Sequence, residues 1–140
     1  MKKILSFLAL SAAVVLTGCS QQHKPNYDEE IVGAWSALQE TRVTNGHTQT
    51  IRYDEANPLT FEFHADHSGR EYGSQTIQGV QHPFELPFTY RIEEGQLHMT
   101  IGGHAFTTEI QQLDASELVL HADVAEAATE STITFRRCAE

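Results

Sequence analysis

Leu86-Pro87-Phe88-Thr89-Tyr90-Arg91-Ile92-Glu93-Glu94-Gly95-Gln96-Leu97-His98-Met99-Thr100-Ile101 is the stretch that decides the fold. Leu86, Phe88, Tyr90 and Ile92 alternate with Pro87, Thr89 and Arg91. After Glu93-Glu94-Gly95, Leu97, Met99 and Ile101 alternate with His98 and Thr100. A period of two, apolar on one side and polar on the other, marks a β-strand buried on one face. Two such runs joined by a short turn ending in glycine make an antiparallel hairpin.

The same pattern continues in both directions. Downstream, Gly102-Gly103 reverses the chain into Phe106, Thr108 and Ile110; Asp114-Ala115-Ser116 reverses it again into Leu118 and Leu120. Residues 122–129 are alanine-rich and read as a helical turn, and 132–136 close with Ile133 and Phe135 on one face. Upstream, Leu59, Phe61 and Phe63 alternate with Thr60, Glu62 and His64, followed by the turn Asp66-His67-Ser68-Gly69, a short segment 70–74 and a longer connection over 77–83. Residues 33–44 run into Asn45-Gly46, and 49–53 return. Ahead of them, 27–31 read as one helical turn with Asn26 at its N-cap and Asp28, Glu29 and Glu30 where the helix dipole favours negative charge. Eight or nine short strands with tight links, and no helix long enough for a parallel crossover, predict an all-β, antiparallel up-and-down barrel of about eight strands. Closure removes the exposed edges that an open meander would carry.

The 140 residues allow one domain. The formal charge is -10, and loss of Lys2 and Lys3 with a leader ending at residue 18 would bring it to -12. Such a domain is repelled by phosphates, which argues against nucleic acid as a partner. Lys2-Lys3, the apolar run 4–16 and Leu16-Thr17-Gly18-Cys19 resemble a secretory signal ending in a bacterial lipobox. The division expected is a lipoprotein signal peptide over 1–18, a lipidated linker over 19–26 and the barrel over 27–140. The resemblance implies that Cys19 carries a diacylglyceryl thioether and an N-acyl chain such as palmitate, and several chains anchor stably where one binds reversibly. Ser20 after the cysteine, and the lack of an acidic run over 20–24, point to the outer membrane and its periplasmic face. Cys138 is then the one remaining thiol, so no internal disulfide can form.

With the strands placed, the chain resembles the bacterial lipocalin-like (calycin) domains. The likeness is carried by Gly33-Ala34-Trp35 at the head of the first strand, Leu59-Thr60-Phe61-Glu62-Phe63 running to Ser68-Gly69, Phe88-Thr89-Tyr90-Arg91-Ile92 to Gly95, Leu113 to Leu120, and Thr132-Ile133-Thr134-Phe135-Arg136. It implies that a basic residue of the last strand packs over Trp35 and closes the barrel bottom, with Arg136 or Arg137 as candidate, through cation–π attraction. It also implies a small apolar or amphipathic ligand inside the barrel, for which Phe61, Phe63, Phe88, Tyr90 and Phe106 are the lining candidates.

No cofactor, metal site or catalytic residue is expected. His64, Asp66, His67, His98, His104 and His121 match no zinc spacing, and no nucleophile elbow or phosphate loop occurs. Glu62, Glu109 and Glu117 alternate with apolar residues, as on a solvated barrel exterior. The function expected is therefore that of a lipid-anchored binding protein and not an enzyme. The alternative is an envelope protein-interaction or inhibitor module whose barrel is filled.

Overall fold

The computed structural model describes residues 25–139; the leader, Cys19 and the first part of the tether lie outside the described residues. A short helix α1 (Tyr27–Glu30) precedes nine strands: β1 (Gly33–Thr44), β2 (His47–Arg52), β3 (Leu59–Phe63), β4 (Ser68–Ile77), β5 (Val80–Glu93), β6 (Gln96–Ile101), β7 (His104–Leu113), β8 (Glu117–Val124) and β9 (Thr129–Arg137). Each strand from β3 to β9 pairs antiparallel with the next, and β1 pairs with β9 to close the barrel. β2 and β3 share one side of β1: β2 covers Gln39 to Thr44 and β3 covers Gly33 to Ser36. They occupy one position in the wall, so nine strands make an eight-stranded antiparallel barrel. The 122–129 segment contributes one 3-10 turn, Ala125–Ala127.

Turn chemistry explains the meander. Asn45-Gly46, Gln78-Gly79, Glu94-Gly95 and Gly102-Gly103 all have both residues at positive φ, the conformation whose twist matches that of the flanking strands. Gln78-Gly79 corrects the expectation of a longer connection over 77–83. The chain turns there in two residues, and β4 and β5 stay paired to Ile77↔Val80. Pro83 obscured this, because proline usually ends a strand. Here Ser74 gives its N–H to Pro58 O (3.1 Å), so Ser74↔Pro83 is a pair that exchanges no hydrogen bonds, and the missing N–H of Pro83 costs β4 nothing. At the opposite end, Asp66 and Asp114 fold the reversals by accepting bonds from Ser68 and from Ser116 and Glu117.

The core fills the lower half of the barrel, next to α1. Trp35, Phe63, Leu97, Leu118 and Phe135 are buried, and Ile31, just after the helix, plugs the bottom. Phe61, Phe63, Phe88 and Tyr90 contact one another with ring centroids 5.1 to 6.3 Å apart, mostly tilted or edge-on as ring quadrupoles prefer. Trp35 Nε1 donates to Ile31 O at 2.8 Å, so the indole is satisfied without water. The Arg137 guanidinium lies over the same indole, 4.2 Å from its centroid, and donates to Glu30 O (2.5 Å), Val32 O (2.8 Å) and Ala115 O (2.9 Å). Arg136 points the other way and is exposed. Gly33 is part of this arrangement: a Cβ there would stand 2.7 Å from Arg137 Nη1, and its φ of +130° is one that other residues rarely adopt. Among the described residues, helix, closure and core form one continuous unit.

Candidate functional site

The upper half of the barrel is built differently. Between Ala37 and Gln39 the pairing of β1 with β9 slips by one residue, at Leu38. This bulge shifts the inward parity, so that Glu40 opposes Ile133 and Arg42 opposes Ser131. Glu40 is only 6% exposed. Its Oε1 accepts from Ser131 Oγ (2.7 Å) and from Arg42 Nη2 (2.8 Å) and Nε (3.2 Å), and its Oε2 accepts from Tyr53 Oη (3.0 Å). Burial alone would push this carboxyl up, but bonds from Ser131, Arg42 and Tyr53 and the charge of Arg42 outweigh it and hold the carboxyl below its ordinary value. Tyr53, by contrast, is pushed up to about 12 by burial and then by Glu40 beside it, so its hydroxyl stays a donor. A buried carboxylate is tolerated here because both of its oxygens accept hydrogen bonds and a guanidinium stands beside it.

Beyond this cluster the wall has a slit. Below Pro58, β3 pairs with β4; above it the chain divides. β2 stays with β1, while Ala56, Asn57 and Pro58 hold β4 through Thr76 Oγ1→Ala56 O (2.8 Å), Thr76 N→Asn57 Oδ1 (3.0 Å) and Ser74 N→Pro58 O (3.1 Å). β2 and β4 therefore do not pair with each other. The separation opens a cavity of about 450 Å³, bounded by Ile51 and Tyr53 on one side, Leu59, Glu71 and Ile77 on the other, and Phe84 of β5. Gly73 lets β4 approach Pro58 closely: a Cβ there would collide with the Pro58 carbonyl and stand 3.1 Å from the Phe84 ring. The volume falls within the range of small-molecule sites, about 300–1,000 Å³.

Glu71 is the chemically distinctive group of this cavity. It opposes Phe61 and Leu86 in the sheet, so it faces inward, and it is half-buried. Burial holds its carboxyl above the ordinary carboxylate range. Among the described residues no hydrogen bond or ion pair reaches that carboxylate; the neighbouring Arg70 faces outward onto Glu62 and Glu85.

The residues anticipated as ligand-lining lie elsewhere. Phe61, Phe63, Phe88 and Tyr90 are buried against one another in the lower core, and none of them bounds the 450 Å³ cavity. Phe106 and Leu86 keep inward parity but stand above the packed core, 51% and 43% exposed; alternation specifies the face of a residue and not its height in the barrel. Tyr90 and Phe106 border a second hollow of about 390 Å³ over β5 to β7. Glu40, Tyr53, Glu71 and Phe84 were not singled out by sequence. The one available signal was the spacing Gly69-x-Glu71-x-Gly73, an inward face lacking the bulky residues of its neighbours.

The histidines pair separately. His64 bonds Glu62 (2.7 Å) and Ser68 (3.1 Å), His67 lies 3.6 Å from Asp28, His98 bonds Thr107 and His121 bonds Thr132. Among the described residues no three His, Cys, Asp or Glu side chains are grouped to hold a metal.

Solved structures share this architecture. A lipocalin-like protein from Bacteroides uniformis matches 78% of this chain and 99% of its own at a TM-score of 0.56 and 13% identity. The barrel is lipocalin-like. Bovine odorant-binding protein, solved with a selenium-containing odorant, matches at 0.51 and 16% identity over 81% of this chain and 73% of its own. The siderocalin Ex-FABP, described as functioning through dual ligand specificities, matches at 0.51 and 15% identity over 79% and 76%. These identities establish a shared fold. Residues 1–20 match the prokaryotic membrane lipoprotein lipid attachment site, so the lipocalin-like barrel follows a lipoprotein leader. No curated protein sequence is similar to the chain.

Proposed function

We propose that this chain is a membrane-tethered binding protein that takes up a small hydrophobic or amphipathic molecule through the upper end of its barrel. The tether is the acylated Cys19 after removal of 1–18, with 19–26 as linker, and the domain faces the periplasm from the outer membrane. The observation that carries the reading is the division of the interior. The lower half is packed by its own aromatic rings, while the upper half keeps a cavity of about 450 Å³ with mixed walls, apolar at Ile51, Leu59 and Phe84 and polar at Glu71, Gln75 and Thr76.

Binding, not catalysis, suits these residues. Glu40, the most buried carboxylate among the described residues, is engaged by Arg42, Tyr53 and Ser131, and Cys138 sits just past the last strand, its N–H held by Ala34 O. The rim is apolar: Ile77, Val80, Leu86 and Phe106 are inward-facing and exposed, a greasy entrance to the interior.

The test uses residues 20–140, which contain the whole described barrel. Titration with the uncharged fluorophore N-phenyl-1-naphthylamine should show saturable uptake at one site per chain. Leu59→Trp, which fills the cavity from its wall, should abolish uptake while the melting transition stays cooperative. Absence of saturable uptake by the parent chain, or uptake unaffected by the filled cavity, would refute the reading and favour a protein-interaction module.

A further inference from the structure

We infer that the cavity between β2 and β4 selects organic cations: a primary amine or ammonium head held by Glu71, with its apolar body against Tyr53, Leu59 and Phe84. The inference rests on the binding reading above and names the ligand class.

Charge accounting inside the upper barrel leads to it. Among the described residues, three charged side chains point into this region: Glu40, Arg42 and Glu71. Arg42 is spent on Glu40, with two of its nitrogens on one carboxylate oxygen. Glu71 is left as one net negative charge on a cavity wall, with no cation of the described residues bonded to it. A carboxylate in that position is costly unless a partner arrives, and an ammonium supplies three donors and the opposite charge. Beside the polar Gln75 and Thr76, part of the wall matches the rest of such a molecule. Leu59, Ile51 and Phe84 offer apolar surface, and the aromatic faces of Tyr53 and Phe84 attract cations as well as methylenes. An anionic ligand would meet Glu71 directly, and the guanidinium that could answer it is already paired.

Three molecules with one chain length separate charge from apolar burial: octylamine, 1-octanol and octanoate, each titrated calorimetrically into residues 20–140 at pH 7.5. Octylamine should bind about tenfold tighter than octanol, the worth of one charge-assisted contact in a half-exposed site, with octanoate weakest. Glu71→Gln keeps the shape and should bring octylamine to the octanol level, with octanol itself shifted far less than octylamine. Equal binding of all three by the parent chain, or octylamine binding that survives Glu71→Gln, overturns the assignment of a cationic ligand and leaves the binding reading standing. If none of the three binds, and N-phenyl-1-naphthylamine uptake is also absent, both fall together.

Discussion

Replacing Arg137 by methionine isolates the polar part of the barrel's closure. Methionine keeps an unbranched apolar stem against the Trp35 indole, so the loss is confined to the guanidinium. That group makes three hydrogen bonds to main-chain oxygens, at 2.5, 2.8 and 2.9 Å, and lies 4.2 Å from the ring centroid. The group is partly exposed, so each bond is assigned the lower part of its range, about 0.5–1 kcal/mol, and the cation–π contact about 0.5–1 kcal/mol. The sum, about 2–4 kcal/mol, corresponds to a fall in Tm of about 8–16 °C for a domain of this size, at about 4 °C per kcal/mol. Arg136, one residue earlier on the same strand, is exposed, and Arg136→Met should move Tm by about 2 °C or less. Differential scanning calorimetry of the two variants beside the parent decides the matter. A Tm for Arg137→Met within about 2 °C of the parent, or an equal fall for Arg136→Met, would refute the assignment of barrel closure to Arg137.

Gly33 and Arg137 should be coupled. Gly33→Ala should cost about 1–3 kcal/mol, from the contact with Nη1 and the positive φ, and less in the Arg137→Met background. Additive losses in urea melts of the double-mutant cycle would show that the two residues do not share space. Glu71 makes a prediction about pH. Its folded pKa is raised by burial, so the folded state binds the proton more tightly and ionisation at neutral pH opposes folding. Glu71→Gln should therefore raise Tm at pH 7, and the gain should shrink toward nothing as pH falls through the ordinary glutamate value of about 4.3. A variant less stable than the parent at pH 7 would mean that the carboxylate is a stabilising group.

Residue pattern alone carried the architecture a long way. Alternation in 86–101, tight turn dipeptides and the lack of a long amphipathic helix lead to an antiparallel barrel, because a strand's two faces are written in successive residues. Where the reading faltered, the cause was local: Pro83 broke the strand signal of β5, although its missing N–H falls on the side away from β4. The site was nearly invisible for a different reason. A single bulge at Leu38 reverses the inward parity of everything after it in β1, so Glu40 and Arg42 read as exterior residues until the register with β9 is known. Phe61, Phe63, Phe88 and Tyr90 carry the same alternating signal whether they line a cavity or fill a core. Only their mutual ring contacts show which.

By itself, then, the sequence determined the lipoprotein leader, the strand order and the inward face of most strands, since each is encoded by neighbouring residues. It also held the tryptophan at the head of β1, whose partner had two candidates, Arg136 and Arg137. Tertiary structure decided which arginine faces the indole, how high in the barrel the core stops, and that β2 and β4 part to leave Glu71 with no cation among the described residues. Those outcomes depend on register and on chain segments meeting from far apart in sequence, such as Val32 with Arg137 and Pro58 with Ser74. No local pattern records such meetings, because they exist only once the barrel has closed.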